Sequence, residues 1–209
     1  MLFRVAPTLL LFLSVPPLRA QSDPASWPAR EAHEGLLIAA DPYQDAARSK
    51  TRFGKKTPYE AGIVAIEVFL RNDNLQAIHV DLESIRLLVA PGRSQRQRLE
   101  PLAIEDVVDR ILNKGGPNPT LTRRPLPRRE PKPGRSKEWK EVEAALRFSA
   151  LETDVIPPRG TARGFLFFDL DHHYDWVSEA RLYLPDLRFI ENQKPLLFFE
   201  LDLAGTRSQ

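Results

Sequence analysis

The densest group of chemically competent side chains in this sequence lies in Phe168-Asp169-Leu170-Asp171-His172-His173-Tyr174-Asp175-Trp176. The carboxylates of Asp169, Asp171 and Asp175, together with the imidazoles of His172 and His173, are ligand types that could hold a hard or borderline divalent cation. The spacing, however, is neither the helical His-Glu-x-x-His of a zinc protease nor the glycine-centred loop of a calcium site, and adjacent histidines on an extended chain point to opposite sides. The same residues also read as a polar turn after a buried strand, with Tyr174 and Trp176 folding over its end. We favour the turn. A metal-binding protein or metal-dependent hydrolase using this loop is the alternative.

A second group is purely cationic. Arg123-Arg124 and Arg128-Arg129 sit among six prolines between Pro117 and Pro133, so extended chain would present guanidinium forks suited to bidentate contact with carboxylates or phosphates. Between Lys114 and Lys137 there are eight basic residues and one acid, Glu130. No aromatic residue is interleaved there to stack on a base, so an anionic polymer is a better match than nucleic acid. The plainest reading of the stretch is a disordered, solvated loop.

Other catalytic arrangements fail on residue type or spacing. The chain has no cysteine, which removes disulfides, thiolate metal sites and a thiol nucleophile. There is no Gly-x-Ser-x-Gly elbow, and the four histidines are His33, His79, His172 and His173. His33-Glu34 lacks the second histidine of a metalloprotease helix, and Gly54-Lys55-Lys56-Thr57 lacks the preceding glycine of a phosphate-binding loop. Glu67 and Asp169 are nameable as a glycosidase pair only if the fold sets their carboxyls roughly 5 to 9.5 Å apart. The expectation is therefore no enzyme and no cofactor.

The elements that must position these residues follow from hydrophobic pattern. In the first 20 residues Arg4 precedes an apolar run from Leu9 to Val15, then Pro16-Pro17 and Leu18-Arg19-Ala20, the order of a secretory signal peptide. Export to the periplasm or beyond is expected, with the mature chain starting near Gln21 and carrying no transmembrane segment. The full chain has 30 Lys and Arg against 28 Asp and Glu; losing Arg4 and Arg19 leaves 28 against 28. Sign is nonetheless segregated, because Arg48 to Lys56 holds five cations without an acid.

Residues 21–34 read as a flexible leader, without apolar period. Seven apolar runs then read as strands: Leu36 to Ala40, Ile63 to Leu70, Gln76 to Val80, Ser84 to Val89, Arg163 to Leu170, Ala180 to Leu184 and Leu196 to Leu203. Two of them, around Ile63-Val64-Ala65-Ile66 and Phe165-Leu166-Phe167-Phe168, are apolar on both faces and should be central strands covered on both sides. Asn72-Asp73-Asn74 and Pro157-Pro158-Arg159-Gly160 supply turns. Between the strand groups, Ile104, Val107, Val108, Ile111 and Leu112 recur at helical spacing, and Ser136 caps a second helix from about Lys137 to Leu151 with Trp139, Val142, Leu146 and Ala150 on one stripe.

The sum is a mainly β fold: a seven-stranded antiparallel immunoglobulin-like β-sandwich over residues 35–205, with a helix, basic loop (114–137) and helix inserted at about 100–152. Gly62-Ile63-Val64-Ala65-Ile66-Glu67-Val68-Phe69-Leu70-Arg71-Asn72-Asp73 and the segment from Val155 to Phe168 resemble exported bacterial immunoglobulin-like domains, in which a strand ending in Asn is followed later by a Pro-Gly turn and a Gly-Phe strand. The resemblance spans roughly Leu36 to Val89 and Val155 to Leu203. It implies a binding or structural module of the cell envelope, partnered by a protein or an anionic polymer, and transfers no catalytic residue. Limited trypsin digestion is expected to cut first between Lys114 and Lys137 while the flanking pieces stay associated; uniform resistance there would contradict a loose basic arm.

Overall fold

The computed structural model describes residues 23–90, 96–113 and 135–204. The signal-like segment and the paired arginines Arg123, Arg124, Arg128 and Arg129 lie outside them. Within the described residues the chain is mainly β, with three antiparallel sheets and three α-helices.

The first sheet has the order β1-β2-β3-β8, formed by β1 (Ala29–His33), β2 (Leu36–Tyr43), β3 (Ile63–Asn72) and β8 (Thr161–Asp169). The second runs β10-β4-β7, from β4 (Ile78–Val80), β7 (Val155–Ile156) and β10 (Leu187–Phe189). The third runs β11-β9-β5-β6, from β5 (Arg86–Val89), β6 (Gln97–Leu99), β9 (Arg181–Leu184) and β11 (Phe199–Asp202). Each of the seven apolar runs contains a strand. The expected count of seven is corrected to eleven among the described residues, because β1, β6, β7 and β10 are short and gain little from apolar pattern.

Alternation along β3 explains the layering. Val64, Ile66, Val68 and Leu70 point into a core shared with the second and third sheets, through Ile78, Leu87, Leu182, Phe199 and Leu201. Ile63 and Ala65, with Phe165 and Phe167 of β8, point the other way into a second core. That core is roofed by α1 (Ala46–Phe53), α2 (Ile104–Leu112) and α3 (Lys137–Ser149), through Phe53, Val107, Val108, Trp139 and Leu146. The strands apolar on both faces are thus covered on both, by sheet on one side and helix on the other. Three layers replace the two of a plain sandwich.

β8 departs from expectation in one respect: it ends the first sheet instead of lying in its middle. Its outer edge is closed by loop backbone, since Leu102 N donates to Phe167 O at 2.8 Å and Leu151 N to Phe165 O at 3.0 Å. Both donors flank the helices, so the excursion shields an edge that would otherwise template aggregation. Gly164 permits the approach: a Cβ there would stand 2.5 Å from Leu151 N and 2.6 Å from the Ala150 carbonyl carbon.

The presumed leader is structured from Asp23. Trp27 is buried, and β1 pairs with β2 across a two-residue turn in which Glu34 (φ 48°) and Gly35 (φ 72°) both take positive φ, as a tight hairpin requires. Only Ala29 and Ala32 in β1 are apolar, so backbone pairing holds this strand and hydrophobic period could not reveal it. α1 escaped for the same reason. Asp45 caps it by accepting from Ala47 N (2.8 Å) and Arg48 N (3.0 Å), while Phe53 alone supplies large apolar burial. α2 and α3 stand where the periodicity put them, with Ser136 Oγ accepting from Trp139 N at 3.1 Å.

Asn72, fully buried at the end of β3, ties the turns together. Its amide nitrogen donates to Gln76 O (2.8 Å) and Pro157 O (3.2 Å), and its Oδ1 accepts from Asn74 N (2.9 Å). Replacing Gly164 by valine is expected to destabilise the fold by about 2 kcal/mol, by forcing the Ala150-Leu151 backbone off the β8 edge. Urea unfolding measures this; a midpoint unchanged from the parent would contradict the edge-closing role.

Candidate functional site

β8 delivers Asp169 to one end of the first sheet, and the chain then reverses through Asp171 (φ 47°) and His172 (φ 67°), both in the left-handed region. Asp169 faces the helical layer, where its carboxylate pairs with Arg110 of α2; each side chain is 14% exposed. It also accepts from Asp171 N at 3.1 Å, which fixes the turn. His173 stacks on Trp176 with ring centroids 4.5 Å apart, and Tyr174 stacks on Tyr59 at 4.1 Å while its hydroxyl donates to the Tyr59 carbonyl. Burial, then neighbouring Tyr59 and Asp169, holds the Tyr174 phenol above its ordinary value, so it remains a donor.

These contacts pull the five sequence candidates apart. Asp169 lies within the core-facing ion pair, His173 lies flat on an indole, and Asp171, His172 and Asp175 are placed by turn geometry. Among the described residues no group of three His, Asp or Glu side chains comes together in a way that could hold a metal ion. Glu67 and Asp169 share a sheet face without forming a pair. The register sets Glu67 opposite Phe165, four residues from Asp169, which is roughly 13 Å along a strand and beyond a glycosidase's carboxyl separation.

A second polar cluster lies on the outer face of the first sheet. Glu67 of β3 is 6% exposed, yet it is ionisable and central: Arg163 Nε donates to its Oε1 at 2.7 Å and the Tyr43 hydroxyl to its Oε2 at 3.1 Å. Across the β2–β3 ladder its partner is Asp41, which takes a two-pronged contact from Arg48 of α1. Arg48 lies over the Tyr43 ring at 4.0 Å, and Arg163 over Trp27 at 5.5 Å. Burial first, and the Glu67 carboxylate second, push the Tyr43 phenol above its ordinary range. The sequence signal for this cluster was a lone Glu inside an otherwise apolar strand, which demands a buried cation.

The cluster is saturated. Two carboxylates are matched by two guanidiniums and a phenol, and it fastens the N-terminal strand region and α1 onto the sheet. A third feature is the helical layer's outer surface, where a groove of about 250 Å³ runs between the end of α1 and α3, lined by Phe53, Lys55, Lys56, Glu141, Val142 and Ala145.

No protein-family model matches the sequence, and no curated protein matches it. A solved structure, a functionally unknown protein from Listeria monocytogenes EGD-e, is similar over 75% of this chain and 70% of that one, at 12% identity and a TM-score of 0.35.

Two outcomes are expected. Glu67→Gln should lower stability by about 2 kcal/mol, because charge-assisted bonds to Arg163 are lost in a buried setting; unfolding curves superimposing on the parent would contradict this. Equilibrium dialysis with zinc, manganese and calcium should find no stoichiometric site. One-to-one micromolar binding abolished in a His172→Ala, His173→Ala variant would reinstate the metal reading.

Proposed function

We propose that the protein is a non-enzymatic, exported binding or structural module of the cell envelope, built on an immunoglobulin-like sandwich theme to which a helical layer has been added. The observation that carries this reading is where the reactive and the apolar side chains stand. Three of the groups that could do chemistry are engaged in holding the fold: Asp169 by Arg110, Glu67 by Arg163 and Tyr43, His173 by Trp176. Large apolar side chains that could dock a partner are instead outside, among them Leu75 (78% exposed), Phe148 (93%), Leu197 (64%) and Phe198 (51%).

Export is supported by the order of residues in the first 20 positions, and no helix among the described residues is long and apolar enough to cross a membrane. The immunoglobulin-like reading draws on the packing of the first sheet against the other two through one shared core. The partner class it suggests is an envelope protein or an anionic polymer.

Affinity capture from the native envelope fraction, using the tagged chain from Gln21 onward, tests the proposal. Retention of a defined envelope component, lost when Leu197 and Phe198 or Phe148 are replaced by serine, is the expected outcome. Turnover of a small substrate by the purified chain would overturn the non-enzymatic assignment.

A further inference from the structure

Five large apolar residues are exposed among the described residues, and four of them fall in two loops: Leu75 between β3 and β4, and Ile190, Leu197 and Phe198 between β10 and β11. Hydrogen bonds gather these loops around the β1–β2 turn. Ile190 N donates to Ala77 O at 3.0 Å, Asn74 Nδ2 to Glu34 O at 2.9 Å, and Leu197 N to the Glu34 carboxylate at 2.6 Å. Phe198 lies against Tyr183 with ring centroids 5.6 Å apart. Three of the five non-glycine residues with positive φ stand at this same end: Glu34 (48°), Gln193 (57°) and Arg159 (54°), whose amide donates to Asn74 O. Strained backbone and exposed apolar side chains thus coincide, and both are features that cluster at binding surfaces.

The size of the patch suits a protein partner. Exposures of 78% for Leu75, 64% for Leu197, 51% for Phe198 and 38% for Ile190 leave roughly 450 Å² in water, taking about 200 Å² for each full side chain. A standard interface takes about 800 Å² from each partner, of which about 57% is apolar, again roughly 450 Å². Charge then selects among partners. The loops at this end, 34–35, 73–77, 157–160 and 190–198, carry Glu34, Asp73, Arg159, Glu191 and Lys194. Asp73 is paired with Arg71 at 3.2 Å. Glu34 and Glu191 are exposed carboxylates that accept from Leu197 N and Ala77 N, while Arg159 and Lys194 are exposed and unpaired with any carboxylate among the described residues. Two cations and two anions leave no net field for a polyanion or polycation to follow. A face holding both signs in equal number is complementary to itself, because a two-fold axis sets the patch against its own copy.

We propose that these loops form a two-fold contact between two copies of this chain, in which Leu75, Leu197 and Phe198 of each protomer are buried against the other and Arg159 and Lys194 face the carboxylates of the second copy. A different protein would cover the same apolar area, but balanced signs within one patch are required only of a face that meets itself. This rests on the reading of the chain as a binding or structural module and names a second copy as the partner of one of its exposed surfaces.

Sedimentation velocity of the chain from Gln21 onward, between about 1 and 100 μM, tests it. A dimer is expected at the top of that range, dissociating on dilution. The pair Leu75→Ser, Leu197→Ser should weaken association about tenfold or more, with circular dichroism and thermal midpoint as in the parent. Lys194→Glu, which leaves the apolar patch intact, should also weaken it, and Phe148→Ser on α3 should leave it unchanged. A monomer throughout the range, a dimer indifferent to the serine pair or to Lys194→Glu, or a dimer lost in Phe148→Ser would overturn the proposal. Capture of an envelope component by a strictly monomeric chain would end this inference and leave the broader function standing; turnover of a substrate by an intact dimer would do the reverse.

Discussion

The structure depends on one constraint: the strand pair β3 and β8 is too apolar on both sides to leave either face in water. Ile63, Ala65, Phe165 and Phe167 need a cover as much as Val64, Ile66, Val68 and Phe168 do. Burial of each large apolar side chain is worth roughly 1.5 to 3 kcal/mol, so exposing either face of these two strands would cost about as much as the whole margin of a small domain. The second and third sheets cover one face. The helical excursion covers the other, and by lending the Leu102 and Leu151 amides to the β8 edge it closes the direction that neither face protects.

Polar groups follow from that arrangement. Once helices lie on a sheet face, any ionisable residue projecting from that face must find its partner inside the interface. Glu67 finds Arg163 and Tyr43, Asp41 finds Arg48, and Asp169 finds Arg110. These pairs specify where the N-terminal region, α1 and α2 dock. They also withdraw the side chains that a sequence reader would nominate for catalysis, which directs attention to the apolar residues left on the outside.

Much of this order was legible in the residues. Double-faced apolar runs announced β3 and β8, helical spacing announced α2 and α3, and Ser136 marked its cap. What stayed hidden was held by forces that leave little apolar trace. β1 is paired through backbone and a Glu34-Gly35 turn, β7 is two residues long, and α1 has Phe53 as its one large apolar anchor. β10, an edge strand of the second sheet, was concealed because it is three residues long and follows β9 after only Pro185 and Asp186. The Asp169 to Asp175 segment was read correctly as a place where the chain turns. Its apparent ligand density dissolved because the partners of Asp169 and His173, Arg110 and Trp176, come respectively from another helix and from three residues further on.

Native-state hydrogen exchange of the backbone amides is the most direct measure of whether the doubly covered strand pair carries the fold. Amides shared between β3 and β8 should exchange last, at the rate of global unfolding, with those of β10 and β6 opening earlier. If the β3 and β8 amides exchange as fast as those of β6, the two-sided cover described here is not what stabilises this protein.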